Sequence, residues 1–153
     1  MKTEHGTFGV GVGVMIKREN AVLLGKRHDD RDKADSDLEG QGSWTLPGGS
    51  IDFCEKLAHA AAREVKEETD IDISPKDLTV ISIADDMLPE NNVHFVTVGF
   101  LAQCDGQEPK TMEPDEITQW RWFDLDNLPS PLFKPTEKVL RHYKEKQMYV
   151  CDE

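Results

Sequence analysis

Apolar side chains recur along this chain in two kinds of pattern, which predict its strands and its helices. Runs rich in Val, Ile, Leu and Phe predict strands at residues 8–16, 21–27, 43–46, 78–84, 93–103 and 119–123. Apolar residues at helical spacing predict amphipathic helices at residues 55–69 and 135–146. Strands interleaved with two helices indicate an α/β or α+β domain, in which helices pack on a mixed β-sheet.

The first predicted strand contains a glycine at every second position. Its sequence GVGVGV, residues 9–14, places Val side chains on one face and leaves the other face bare. A strand face without side chains lets another group approach the backbone closely. We therefore expect close packing against this glycine face.

Residues 28–42 are polar, charged and almost free of apolar side chains. This composition predicts a long loop that lies outside the core. Some loops of this length close over a binding site as a lid, and others carry no defined structure. The sequence leaves both alternatives open.

Length and charge narrow the class of protein. A chain of 153 residues suffices for one domain, which we expect to span residues 1–153 with a core at about 8–146. Thirty Asp and Glu against eighteen Lys and Arg give a formal net charge of -12. Such a surface repels polyanions, so we expect no binding to nucleic acid or to an anionic membrane.

Cysteine usage and the N-terminus indicate the compartment. Cys54, Cys104 and Cys151 are odd in number and lack CxxC spacing, which argues against a disulfide framework and a cysteine zinc site. The first residues are charged where a secretory signal is apolar, and no apolar run approaches the ~20 residues that span a bilayer. We expect a cytoplasmic protein with reduced thiols.

The helix predicted at residues 55–69 carries a cluster of acidic residues near its C-terminal end. At about 3.6 residues per turn, Glu64, Glu67 and Glu68 fall on one face. The macrodipole disfavours negative charge at this end of a helix. The cluster is either a solvated acidic face paired with Arg63 and Lys66, or a site for a hard cation such as Mg²⁺ or Mn²⁺.

The spacing of the surrounding residues favours the cation site. Residues 49–71, GSIDFCEKLAHAAAREVKEETDI, resemble the signature of the Nudix family, G-x5-E-x7-R-E-U-x-E-E-x-G-U, in which U is aliphatic. Six strictly specified positions match, and chance gives such a match on the order of once in ten million positions. Asp70 replaces the glycine that follows the helix, a departure that affects a left-handed cap and not a ligand.

The resemblance extends over residues 8–142 through the stretches GVGVGV, LGKR, LPGG, HFVT, EP and WRW. These stretches are similar to those of MutT-like nucleoside triphosphate diphosphatases within the Nudix family. The resemblance implies a sandwich of helices around a mixed β-sheet. It also implies that the signature forms a loop, a helix and a second loop that together hold metal ions.

The resemblance implies roles for the residues of the signature. As metal ligands it implies the carbonyl of Gly48 and the carboxylates of Glu64, Glu67 and Glu68. The three glutamates are also the implied catalytic residues, with Glu67 as a third ligand or as the base that deprotonates the attacking water. The implied cofactor is Mg²⁺, with Mn²⁺ as the alternative.

Other residues are implied as structural support or as substrate contacts. Gly49 and a Glu55–Arg63 pair are implied to brace the metal-binding loop. As substrate contacts, the resemblance implies Arg27 for phosphate and suggests Leu46, His94 and Phe133 for the base or head group. Each substrate candidate has a plainer alternative, an exposed charge at a strand end for the arginine and simple packing for the others.

Three functions follow from this resemblance. The first is hydrolysis of a nucleoside triphosphate, or a close analogue, to a monophosphate and pyrophosphate. The second is cleavage of ADP-ribose or another nucleoside diphosphate linked to a further group. The third is a nucleotide-sensing module without catalysis, which the retention of every signature glutamate disfavours. We expect a small-molecule nucleotide as the partner, and the sequence leaves a homodimer open.

Overall fold

A mixed β-sheet forms the centre of the structure. The computed structural model describes residues 1–153. Its strands are β1 (Lys2–Thr3), β2 (Gly6–Arg18), β3 (Ala21–Arg27), β4 (Trp44–Thr45), β5 (Gly48–Ser50), β6 (Thr79–Leu88), β7 (Val93–Gln103) and β8 (Ile117–Asp124). Its helices are α1 (Arg31–Ala34), α2 (Leu57–Thr69) and α3 (Lys134–Glu145), with 3-10 turns at Pro75–Asp77 and Pro89–Asn91.

Strand β2 organises the sheet because it has several partners. It pairs in parallel with β7 along most of its length, and antiparallel with β5. It pairs with β3 only next to the hairpin, where Lys17 is opposite Val22 and Arg18 is opposite Ala21. Beyond the hairpin β3 pairs with β4 instead, while β8 pairs with β3 along its whole length. The two strands therefore diverge, and residues from both line the cavity described below.

The two long helices pack on opposite faces of the sheet, as the alternation of β2 requires. Val12 and Val14 belong to one buried cluster together with Val65 of α2. Met15, which points the other way, belongs to a second cluster with Val139 of α3. This arrangement confirms the predicted sandwich of helices around a mixed sheet. None of the helices is long and apolar enough to span a membrane.

Two local predictions need correction. Residues 28–42 do not lie wholly outside the core, because α1 forms there and Ala34 is buried. The Asp30 side chain caps this short helix by accepting a hydrogen bond from the Asp32 N–H. Helix α2 begins at Leu57 rather than at residue 55, since Cys54 has a left-handed backbone with φ 64° and Lys56 is extended.

Candidate active site

A cavity of about 410 Å³, which we call the central cavity, opens between the strands and helices. Residues from β2, β3, β5, β7 and α2 contribute to its walls, together with the segments around α1 and before α3. Of the residues implied by the signature and its surroundings, the lining includes Arg27, Leu46, Gly48, Gly49, Glu64, Glu67, Glu68 and Phe133. Glu55 and Arg63 lie outside the lining, and so does His94.

Helix α2 presents its carboxylates to the cavity because its other face is buried. Ala61 and Val65 pack in the core against the sheet. Glu68 lies close to β5, where its Oε1 atom is 3.4 Å from the backbone nitrogen of Gly48. A Cβ atom on Gly49 would lie 2.7 Å from the Glu64 carboxylate. Glycine at this position therefore allows the helix to approach β5 closely.

Burial raises the pKa of several of these carboxylates. Burial raises the pKa of Glu64, and it raises the pKa of Glu68 well above its usual range, with the nearby charge of Glu64 adding to the effect. Burial also raises the pKa of Glu113 and Glu116, which lie on the same cavity. In total the lining contains seven carboxylates and one guanidinium. A phosphate group enters such a cavity favourably only with cations that offset this charge.

The donor atoms fit a hard divalent cation, since they are carboxylate oxygens. In this structure no three such groups converge on one point. Glu64 accepts a hydrogen bond from Arg63 at 2.9 Å, and Glu67 is paired with the same guanidinium at 3.2 Å. Cation binding to all three glutamates therefore requires their side chains to rearrange.

Arg63 connects the carboxylates to the turn that precedes α2. Its guanidinium contacts Glu55, Glu64 and the carbonyl of Ser50, at 2.8, 2.9 and 3.2 Å respectively. The hydrogen bond from Arg63 lowers the pKa of Glu55 to about 2, and the same bond raises the pKa of Arg63. The structure thus pairs Glu55 with Arg63, and the role of this pair as a brace for the loop stays a prediction.

Arg27 is buried, with 8% of its surface exposed, and belongs to the cavity wall rather than to an exposed strand end. Its guanidinium lies 4.7 Å from the ring centre of Phe133 and donates a hydrogen bond to the carbonyl of Ala34. Burial lowers the pKa of Arg27, while the nearby Glu68 opposes this shift. Its Nε atom is buried without a hydrogen-bond partner. This N–H is available to a ligand, because buried donors normally find an acceptor.

The segment around β4 positions both Arg27 and Phe133. The backbone N–H of Arg27 donates to the carbonyl of Ser43 at 2.9 Å. The backbone N–H of Phe133 donates to the carbonyl of Trp44 at 2.8 Å. The carbonyl groups of the consecutive residues Ser43 and Trp44 therefore hold the backbones of Arg27 and Phe133 side by side.

His94 is not part of the central cavity, so the structure does not support its predicted contact with the substrate. Its ring lies 5.4 Å from Phe8, edge to face, and its Nε2 atom is 3.7 Å from Asp85. It lines a second, separate depression. Side chains alternate along β7, and Phe95 and Thr97 line the central cavity in its place.

Several cavity residues were missed by sequence reasoning. The central cavity is also lined by acidic residues and by two residues of β7. They are Asp35 and Asp37 from the loop at residues 28–42, which we call the polar loop, Glu113 and Glu116 before β8, and Phe95 and Thr97 of β7. The period of two along HFVT, residues 94–97, was a signal for the β7 pair. The four acidic residues carry no local signal, because only the fold brings their loops together.

Asp70 has the left-handed backbone that glycine adopts in the signature, with φ 63°. Its carboxylate forms ion pairs with Lys66 at 2.8 Å and with Lys110 at 3.1 Å. These pairs hold the pKa of Asp70 below its usual value, with the Lys66 hydrogen bond as the largest cause. The departure from the signature thus brings contacts that a glycine lacks.

Comparison with known proteins identifies relatives of this arrangement. A sequence profile described as NUDIX domain matches residues 7–143. An ADP-ribose pyrophosphatase from Methanocaldococcus jannaschii is 31% identical over 134 residues, which are 88% of this chain and 72% of that protein. An RNA pyrophosphohydrolase from Pelagibacter ubique is 29% identical over 155 residues, covering 90% of this chain and 89% of that protein.

A solved structure of the same family is also similar to this chain. The crystal structure of a MutT NUDIX hydrolase from Burkholderia pseudomallei superposes with a TM-score of 0.77 at 33% identity. The match covers 89% of this chain and 98% of that one. The NUDIX profile spans β2, β5 and α2 and most of α3, and so includes the elements that form the central cavity.

Proposed function

This chain belongs to the Nudix family and is a Nudix hydrolase, and we propose that it hydrolyses the diphosphate linkage of a nucleotide in a Mg²⁺-dependent reaction. One observation carries the proposal. The three signature glutamates line the same cavity as the buried Arg27, whose Nε donor lacks a partner. A diphosphate with its cations has the charge distribution that complements this wall.

We assign the metal to the carboxylates of Glu64, Glu67 and Glu68, with the carbonyl of Gly48 as a further donor. Mn²⁺ is the alternative to Mg²⁺, since both prefer oxygen ligands. When bound, such ions neutralise the diphosphate and lower the pKa of a bound water. Arg63 keeps Glu64 oriented through a hydrogen bond at 2.9 Å, whereas its pair with Glu67 at 3.2 Å opens when Glu67 binds the metal.

As the alternative to a third metal ligand, Glu67 is our candidate for the base that takes a proton from the attacking water. Its side chain is 49% exposed, against 14% for Glu64, so water reaches it directly. The water attacks one phosphorus atom and the bridging oxygen leaves with the other phosphate. Arg27 stabilises the charge that develops on the phosphate oxygens through its free Nε–H.

The charge of the cavity favours a nucleoside diphosphate linked to a neutral group that carries hydroxyls. Seven carboxylates and one guanidinium line the cavity. A terminal phosphate would add negative charge beyond the diphosphate, whereas a sugar would donate hydrogen bonds to Asp35 and Asp37. The ADP-ribose pyrophosphatase of Methanocaldococcus jannaschii, at 31% identity, supports the same class. This reverses the order that we expected from the sequence.

A nucleoside triphosphate is the second candidate, supported by the likeness to a MutT hydrolase at 33% identity. The two classes give different products. ADP-ribose yields AMP and ribose 5-phosphate, whereas ATP yields AMP and pyrophosphate. The second product therefore identifies the bond that is cleaved in each substrate.

The test is a panel of ADP-ribose, a dinucleotide, ATP and 5′-triphosphorylated RNA, assayed with Mg²⁺ and with a chelator. Products are separated chromatographically, and the Glu68→Gln protein serves as the control for contaminating hydrolases. We expect Mg²⁺-dependent release of AMP from ADP-ribose at a higher kcat/KM than from ATP. Faster turnover of ATP would promote the second candidate. No turnover of any substrate would overturn the proposal and point to nucleotide sensing.

A further inference from the structure

A buried carboxylate lies behind one wall of the central cavity, away from the residues assigned to the metal. Asp86 of β6 is only 3% exposed. It accepts a hydrogen bond from the hydroxyl of Thr97 on the neighbouring strand β7, with 2.5 Å between the oxygens. Thr97 lines the cavity, whereas Asp86 does not.

The ion pair with Lys138 restricts Asp86 to accepting hydrogen bonds. Its ammonium nitrogen lies 3.2 Å from Oδ1 of Asp86, on the oxygen that Thr97 does not use. A carboxylate paired with an ammonium group only accepts hydrogen bonds. The single hydroxyl proton of Thr97 is therefore committed to Asp86, and the oxygen of Thr97 has only lone pairs left for the cavity.

The surface beside Thr97 is flat. Thr97 pairs with Gly11 of β2, and Gly13 follows two residues later. A Cβ atom on Gly13 would meet no atom nearer than 3.9 Å. By contrast, a Cβ on Gly9 would meet the Phe95 ring at 2.8 Å, and one on Gly99 would meet Val139 at 2.8 Å. An open stretch of backbone between two apolar side chains fits the face of a planar ring.

We propose that Asp86 and Thr97 together select a nucleobase that carries an amino group, such as adenine, over one that carries a carbonyl group at the same position, such as hypoxanthine. Thr97 is the contacting residue and Asp86 is a positioning residue. The inference rests on the proposed function, because it assumes that the central cavity binds a nucleotide.

The selection follows from hydrogen-bond polarity. An amino group donates to the Thr97 oxygen, so both partners are satisfied. A carbonyl group in its place would bring two acceptors together and leave both unpaired in a buried site. Such a mismatch weakens binding by roughly tenfold to a hundredfold.

Substitution of Asp86 by asparagine tests the role of polarity directly. The ammonium group of Lys138 can only donate hydrogen bonds, so in Asp86→Asn the amide oxygen of the new side chain faces Lys138 and accepts from it. The amide nitrogen then faces Thr97 and donates to it. This releases the Thr97 proton toward the cavity, so the hydroxyl can donate to a carbonyl group as well as accept from an amino group.

The experiment measures binding of AMP and of IMP by calorimetry, and kcat/KM for matched adenosine and inosine substrates. We expect the wild-type protein to prefer adenine by at least about tenfold. We expect both Asp86→Asn and Thr97→Val to bring the ratio close to one. Asp85→Asn is the matched control, because Asp85 is the next residue on β6 and contacts His94 and Tyr149 instead. Its ratio should equal that of the wild type.

The inference would be overturned if the wild-type protein bound AMP and IMP equally, or bound neither, and if its kcat/KM values for the adenosine and inosine substrates were also equal. An unchanged ratio in both Asp86→Asn and Thr97→Val would also overturn it. Thr97→Val is isosteric and keeps the test valid if Asp86→Asn does not fold. Preference for AMP without hydrolysis of any substrate would contradict only the proposed function, whereas hydrolysis without base preference would contradict only this inference.

Discussion

Arg63 holds Glu55 through two charge-assisted hydrogen bonds, from Nε to Oε2 at 2.8 Å and from Nη2 to Oε1 at 2.9 Å. The same guanidinium reaches Glu64 at 2.9 Å. It therefore links the turn before α2 to the carboxylate wall of the central cavity, which Glu64, Glu67 and Glu68 form. Paired hydrogen bonds of this kind fix orientation as well as charge.

The Glu55–Arg63 pair predicts a characteristic dependence of stability on pH. The pKa of Glu55 is lowered to about 2 in the folded protein, against about 4.3 in an unfolded chain. Its stabilising contribution is therefore complete above the unfolded pKa and is lost as the pH falls toward 2. We expect Glu55→Gln to lower the free energy of unfolding by a constant amount at neutral pH, and by less as the pH falls below about 4.3.

Denaturant titrations of both proteins between neutral pH and about pH 2 measure this difference. Glu145→Gln, at the exposed end of α3, is the control and should match the wild type throughout. A difference for Glu55→Gln that does not change with pH would contradict the assignment of the pair.

Cys54 predicts a stabilising substitution. Its side chain is exposed and its backbone is left-handed, with φ 64°. A residue with a Cβ atom is strained in this conformation, so Cys54→Gly should raise the free energy of unfolding by about 1 kcal/mol. Cys54→Ala keeps the strain and should leave stability unchanged. Thermal unfolding compares the three proteins, and equal effects of glycine and alanine would refute the explanation.

Asp70 shares this backbone conformation but should respond differently. Its ion pairs with Lys66 and Lys110 would be lost in Asp70→Gly while the strain is relieved. Exposed ion pairs contribute about 0–1 kcal/mol, so we expect Asp70→Gly to be nearly neutral. Asp70→Ala loses the pairs and keeps the strain, so it should destabilise by up to about 1 kcal/mol. A clear gain in stability for Asp70→Gly would show that the pairs contribute nothing.

The fold was largely predictable because its apolar patterns are local. The alternation of β2 and β7 and the apolar stripe of α2 specify those elements and the faces that they bury. The signature identified the residues of the carboxylate wall, since their spacing on one helix is itself local. Their roles as ligands and base stay predictions.

The remainder of the cavity depends on contacts between distant segments. His94 and Phe95 are adjacent in sequence but line different depressions, and only the pairing of β7 with β2 determines which one faces the central cavity. The polar loop was predicted to lie outside the core because its composition is hydrophilic. It contributes Asp35 to the cavity because Arg27 binds the carbonyl of Ala34.

Gly13 on the glycine face of β2 and Gly99, its partner on β7, provide a matched pair of substitutions that test whether the substrate lies against this face. A Cβ atom on Gly13 enters open space, with its nearest neighbour at 3.9 Å, whereas one on Gly99 would lie 2.8 Å from Val139. We expect Gly13→Ala to fold normally and to lower kcat/KM by about tenfold, because its methyl group occupies the cavity. Gly99→Ala should lower the free energy of unfolding by about 1–3 kcal/mol. Unchanged kinetics for Gly13→Ala would place the substrate elsewhere.

The most direct test of the metal-dependent mechanism is a Mg²⁺ titration of turnover in Glu68→Gln beside the wild type, with Glu145→Gln as the control. The glutamine keeps the shape of the side chain, and burial disfavours the charge that it removes, so the fold should persist. We expect turnover to fall by at least about a thousandfold at every Mg²⁺ concentration, with an unchanged circular dichroism spectrum. A Glu68→Gln protein that turns over at the wild-type rate in Mg²⁺ would contradict the mechanism.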